Sequence, residues 1–161
     1  MKRSILAILL LSCLNLLGGS KKDDRLVVQF CLQGAESDGQ KISIPQQVAG
    51  QQVFFRLSPE IATKDIVSFR PFPAEDGYSY GIMLQLNTAG ANRLAAVTSA
   101  NKGRLFMARL NGRPLDVVTI DKTISDGILV IWQGVTTREI GLADKIIPRI
   151  GQSPQEWRKK K

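Results

Sequence analysis

Enzymatic chemistry needs a nucleophile beside a base, a pair of carboxylates, or a cluster of metal ligands, and this sequence is poor in all three. It contains no histidine and two cysteines, Cys13 and Cys31. Without histidine, the usual zinc sites and triads of the serine–histidine–aspartate kind are nearly excluded. A reactive thiol at Cys31 would need an activating neighbour, whereas the alternation around it makes it a small, half-buried hydrophobe in a strand. Four acids remain as possible proton donors or acceptors: Asp116, Asp121, Asp126 and Asp144. Their ordinary reading is turn and surface residues, since Asp126 precedes Gly127 and Asp116 stands two positions beyond Pro114. No catalytic residue, cofactor or metal is expected.

The elements that would position such residues belong to one small domain. At 161 residues, 43% apolar and 22% charged, the chain has the composition of an ordinary folded protein with one core. Its formal charge of +8 sits mostly at the ends. Without Lys2 and Arg3 there are 20 basic against 14 acidic residues, and Arg158, Lys159, Lys160 and Lys161, set against Glu156, hold half of that excess. The body shows no basic stripe interleaved with aromatics, so no nucleic-acid partner is expected. The basic tail, residues 152–161, is expected to be solvated or to touch anionic lipid.

Lys2 and Arg3, the apolar run Ile5 to Leu17, and the small residues Gly18, Gly19 and Ser20 follow the order of a secretory signal, too short to span a bilayer as a helix. Residues 1–20 are therefore expected to direct export, placing the protein in the periplasm or attached to the outer side of the membrane. Two ways of processing stay open. One is cleavage near Gly19 or Ser20. The other follows from Leu10-Leu11-Ser12-Cys13, which resembles a bacterial lipobox and would make Cys13 a lipidated first residue. Cleavage beyond Cys13 leaves only Cys31, so no intramolecular disulfide is expected.

After a linker from Ser20 to Asp24, Leu26 to Leu32 alternates as a strand with one strongly apolar face. Lys41 to Ile44 predicts a short strand ending before Pro45, and Gln51 to Leu57 another. Ser58-Pro59-Glu60 has the grammar of a helix start, leading into about one turn as far as Asp65. Ile66 to Phe72 alternates, Glu75-Asp76-Gly77 is a turn, and Tyr78, Tyr80, Ile82, Leu84 and Leu86 share the face of a long strand. Thr88 is placed to cap a helix over 89–100, closed by Gly103. Asn111-Gly112 joins the strands Arg104 to Leu110 and Leu115 to Ile120 in a hairpin, because both turn positions need positive φ. Ile128 to Trp132 is uncharged and apolar on both faces, which predicts a covered or central strand ended by Gly134. Thr136-x-x-Glu139 is a capping box opening a last helix that presents Ile140, Ala143, Ile147 and Ile150 and stops at Pro148. The fold class is α+β, a mostly antiparallel sheet with two helices packed on it.

From Ser58 onward this order resembles the head subdomain of the first periplasmic domain of SecD, the accessory subunit of the bacterial protein translocase. The resemblance rests on Pro59 to Ile66, the strand Tyr78 to Leu86, Thr88, Gly90, Ala91, Leu94, Thr98, Asn101 and Gly103, the hairpin Ala108 to Gly112, then Ile124, Gly127, Ile131, Gly134, Glu139 and Leu142. It divides the chain into N-terminal strands and linker at 21–52, a head-like domain at 53–151, and the tail. It implies a non-catalytic extracytoplasmic module that contacts exported polypeptide or an envelope partner, with Arg109, Arg113 and Trp132 as candidate contacts. Without that partner, Arg109 and Arg113 read as solvated hairpin charges and Trp132 as core. A full SecD carries several membrane helices that couple the proton gradient to export, and none is read here. The alternatives are a structural or assembly subunit of the envelope and, more remotely, a carboxylate-dependent enzyme using acids such as Asp121.

Overall fold

The computed structural model describes residues 25–159. The expected signal segment with Cys13, the linker up to Asp24, and Lys160 and Lys161 lie outside the described residues. Twelve strands and α-helices follow in chain order: β1 (Val28–Leu32), β2 (Ser43–Val48), β3 (Gln51–Arg56), β4 (Ile61–Ala62), β5 (Ile66–Pro73), β6 (Tyr80–Leu86), α1 (Thr88–Ala100), β7 (Leu105–Leu110), β8 (Arg113–Thr119), β9 (Ile128–Val135), α2 (Thr137–Ile146) and α3 (Pro154–Arg158). The class is α+β with antiparallel sheets and two main helices, as expected. Among the described residues, no helix is long and apolar enough to cross a membrane.

The strands form a four-stranded sheet of order β4-β1-β7-β8, a three-stranded sheet β5-β6-β9, and the ribbon β2-β3. One core lies between the two larger sheets. The first contributes Val28, Phe30, Phe106 and Leu110, the second Phe69, Leu84, Ile131 and Val135. Leu94 of α1 and Ile140 and Ala143 of α2 complete it. Strand β1 is buried on its other face too, where Cys31 packs with Met107 and with Phe55 of the ribbon. Cys31 is therefore fully buried, at 0% exposure, and not half-buried.

Local chemistry explains where the elements start and stop. Asn111 (φ 51°) and Gly112 (φ 80°) form the left-handed turn between β7 and β8, with Leu110 opposite Arg113. The capping box holds: Thr136 Oγ1 accepts the Glu139 N–H at 3.2 Å, and Glu139 Oε2 accepts the Thr136 N–H at 2.8 Å. Helix α1 is capped by Asn87 and not by Thr88, since Asn87 Oδ1 accepts the Gly90 N–H at 2.8 Å. The longer amide side chain is better placed, and Thr88 becomes the first helical residue.

Tertiary contacts override the sequence in several places. No helix starts at Ser58, because the Glu60 N–H donates to the Phe30 carbonyl at 2.9 Å and draws the segment into β4 beside β1. What remains of the turn is a 3-10 turn, Thr63–Asp65, with Asp65 accepting the Ala62 N–H at 2.9 Å. Strand β2 runs through Pro45, where a short strand was expected to end. The ribbon has only two strands, so the position without an N–H faces no third neighbour. Tyr78 is 97% exposed, held out of β6 by a turn in which Asp76 Oδ1 accepts the Tyr78 and Ser79 N–H groups at 2.9 and 2.8 Å. At the chain's end, the segment read as a solvated tail includes α3, anchored by Trp157 Nε1 donating to the Asp144 carbonyl at 2.9 Å.

The three-stranded sheet has two differently treated edges. Along β5, the Phe69 N–H and carbonyl pair with the Pro148 carbonyl and the Ile150 N–H at 3.1 and 2.8 Å. Strand β9 forms the other edge, which excludes the central placement and leaves the covered one of the two expected for its apolar sequence, and it continues past Gly134 to Val135. Two carboxylates block it: Asp126 Oδ1 accepts the Ile128 N–H at 3.0 Å and Asp116 Oδ2 the Trp132 N–H at 3.1 Å. On the outer face, Gly81 leaves room for the Phe72 ring to lie on the strand, and Phe72 meets Trp132 edge-on at 6.0 Å.

Candidate functional site

Strands β8 and β9 are the adjoining edges of two different sheets, and no hydrogen-bonded ladder joins them. They are held together at one end. There Arg113 Nη2 donates to the Gly134 carbonyl at 3.1 Å, and the Asp116 carboxylate takes the Trp132 N–H. Beyond that clamp lies a cleft of about 430 Å³ with a floor of Phe30, Phe106, Ala108 and Leu129. Its walls are Val118 from β8 and Val130 and Trp132 from β9, and Asp121, Lys122 and Asp126 stand in the connecting segment that borders it. Thr98 Oγ1 fixes that segment by accepting the Ile124 N–H at 2.9 Å while donating to the Leu94 carbonyl at 2.7 Å.

The structure therefore brings together three of the four acids considered from sequence, Asp116, Asp121 and Asp126. Two of them are engaged with strand N–H groups, and among the described residues no group of three or more potential ligands is arranged to hold a metal ion. Asp144 lies apart on α2, in a two-pronged ion pair with Arg149 at 2.8 Å to each oxygen. Cys31 faces away from the cleft, on the ribbon side of its sheet. Burial pushes its thiol pKa up, and the nearby Arg109 only partly opposes this.

Of the three candidate contacts, Trp132 alone lines the cleft, and it is 60% exposed where a core position was the ordinary expectation. Arg109 and Arg113 are not simply solvated. Arg109 Nη2 donates to the Gly112 carbonyl at 3.0 Å, across its own turn. Arg113 Nη2 reaches both Glu139 oxygens at 3.1 Å, tying the hairpin to the cap of α2. The residues that sequence reasoning missed are Val130 and the apolar floor. Each reads as an ordinary strand residue, and only the separation of the two sheets leaves them beside open space. The signal that pointed here was the uncharged run Ile128 to Trp132, which required some form of edge protection.

Neither a family model nor a curated protein matches the sequence. Solved structures do match the fold. One is of SecDF, described as a membrane component that enhances protein export, at 20% identity and a TM-score of 0.51, covering 74% of this chain and 61% of that one. Another is SecDF in a super-membrane-facing form, at 19% identity and a TM-score of 0.51, covering 74% of this chain and 18% of that one. The chain spans less than two thirds of either, and at these identities the likeness is one of fold.

Proposed function

We propose that this protein is a non-catalytic binding module on the extracytoplasmic side of the membrane, related to the SecD periplasmic head and serving protein export by holding polypeptide. The cleft between β8 and β9 carries this reading. Two strand edges without a shared ladder stand over an apolar floor, an arrangement that offers burial to a chain's apolar side chains and, between the two carboxylates on β9, main-chain hydrogen bonds that do not depend on its sequence. The SecDF-like fold and the signal-like residues 1–20 support the setting, and the basic tail supplies an attraction to anionic lipid that salt screens.

The test is crosslinking in cells from a photoreactive residue at Val118, which is 41% exposed on the cleft wall, with Gln52 on the ribbon as control. Exported chains or translocase subunits should be recovered from Val118 and not from Gln52. Recovery of a single stoichiometric envelope protein, unchanged when export is blocked, would replace this reading with that of an assembly subunit. A turnover abolished by Asp121→Asn would end the non-catalytic claim.

A further inference from the structure

Three features of the cleft define what would fill it. Its floor is apolar. Its β9 wall has its N–H groups taken at both ends and open between them: those of Ile128 and Trp132 are held by Asp126 and Asp116, and Val130, two residues from each, directs its N–H and carbonyl the same way. Its charge is also opposite in sign to that of the chain as a whole. The protein carries 22 basic against 14 acidic side chains, yet Asp116, Asp121 and Asp126 face the cleft against the single Lys122. The carboxylates lie towards both ends, Asp116 at the clamp and Asp121 and Asp126 in the connecting segment.

We infer that the cleft selects an extended polypeptide segment whose apolar side chains are flanked by lysine or arginine. The apolar residues lie on the Phe30, Phe106 and Leu129 floor, the segment's backbone pairs at Val130, and its basic ends meet the acids at the two ends. A segment with acidic ends is repelled there, so charge decides among chains that the backbone contacts alone would not distinguish. This inference rests on the function proposed above and adds a preference to it.

Fluorescence anisotropy with the full chain and two labelled nine-residue peptides tests it. Both peptides have valine or leucine at alternate central positions and serine between them; one ends in lysine pairs and the other in glutamate pairs. At low salt the lysine-ended probe should bind about fivefold more tightly or better, as exposed ion pairs at the ends allow, and the gap should shrink at high salt. Asp121→Lys should lower that preference, and Val118→Asn should weaken both probes, while Gln52→Ala changes neither. Equal binding of the two probes, lost in both on Val118→Asn, would overturn the charge preference and leave the proposed function standing. Lysine-probe binding that neither cleft variant weakens would put the site elsewhere and overturn the inference. Failure of the chain to bind either probe would overturn both readings.

Discussion

Replacing Gly81 by alanine tests the outer face of the three-stranded sheet with one methyl group. A Cβ at this position would stand inside the Phe72 ring and 2.7 Å from the Trp132 carbonyl oxygen. The ring can swing aside, because it lies on an open face, but the carbonyl belongs to β9 and moves only if the strands part. Overpacking of this kind costs about 1–3 kcal/mol. Displacing Phe72 also forfeits its edge-on contact with Trp132, worth about 0.5–1.5 kcal/mol. Against this, alanine restricts the unfolded chain and returns about 0.4–1 kcal/mol. The net loss should be about 2 kcal/mol, or about 5–8 °C in the melting midpoint of a domain this size. Guanidinium and thermal unfolding followed by far-ultraviolet circular dichroism measure it. Made on a Phe72→Ala background, the same substitution should still cost about 1 kcal/mol, since the carbonyl contact remains. A Gly81→Ala midpoint equal to that of the parent would refute the close approach of β6, Phe72 and β9.

Three further outcomes follow from local geometry. Gly112→Val forces a branched side chain into positive φ and should cost at least about 1 kcal/mol in denaturant unfolding. Thr136→Ala removes one half of the capping box and should cost about 1 kcal/mol by the same assay. The Asp38 carboxyl is held below the ordinary range by the Ala35 N–H and the Ser43 hydroxyl, and that of Asp76 by the Ser79 hydroxyl and N–H. A depressed folded pKa adds stability above the unfolded value and loses it as pH falls through the folded one. The thermal midpoint should therefore decline as pH drops below about 4, and Asp76→Asn should make that decline shallower.

Features carried by a few adjacent residues were readable from the sequence. Asn111-Gly112 and Thr136-x-x-Glu139 act within four residues, and their local bonds and dihedrals are kept in the fold. Pro59 shows the opposite case. Its helix-start grammar is sound locally, yet the Glu60 N–H finds a better partner in Phe30, thirty positions away. The cleft was hidden for the same reason. Asp116, Asp121 and Asp126 belong to a strand, a loop and a turn, and they face one space because β9 N–H groups hold two of them and Thr98 on α1 pins the segment that carries the others. An apolar strand with no charge of its own announced that protection was needed. It did not announce that side chains, and not a neighbouring strand, would provide it.

The placement of β1 in the middle of the four-stranded sheet sets a timetable for folding. Its partners are β4, about thirty residues later, and β7, with Val28 opposite Leu110. Made from the N-terminus, the chain leaves the β7-facing edge of β1 unpaired until residue 110 has emerged, and a pairing of such long range is slow to close. For that interval Val28, Phe30 and Leu32 form an adhesive segment, and a nascent chain that stalls before the β7–β8 hairpin lacks the strand that shields it. The short turn at Asn111-Gly112 shortens the wait. It lets β7 and β8 arrive as a preformed pair, so that one docking event completes the pairing of β1.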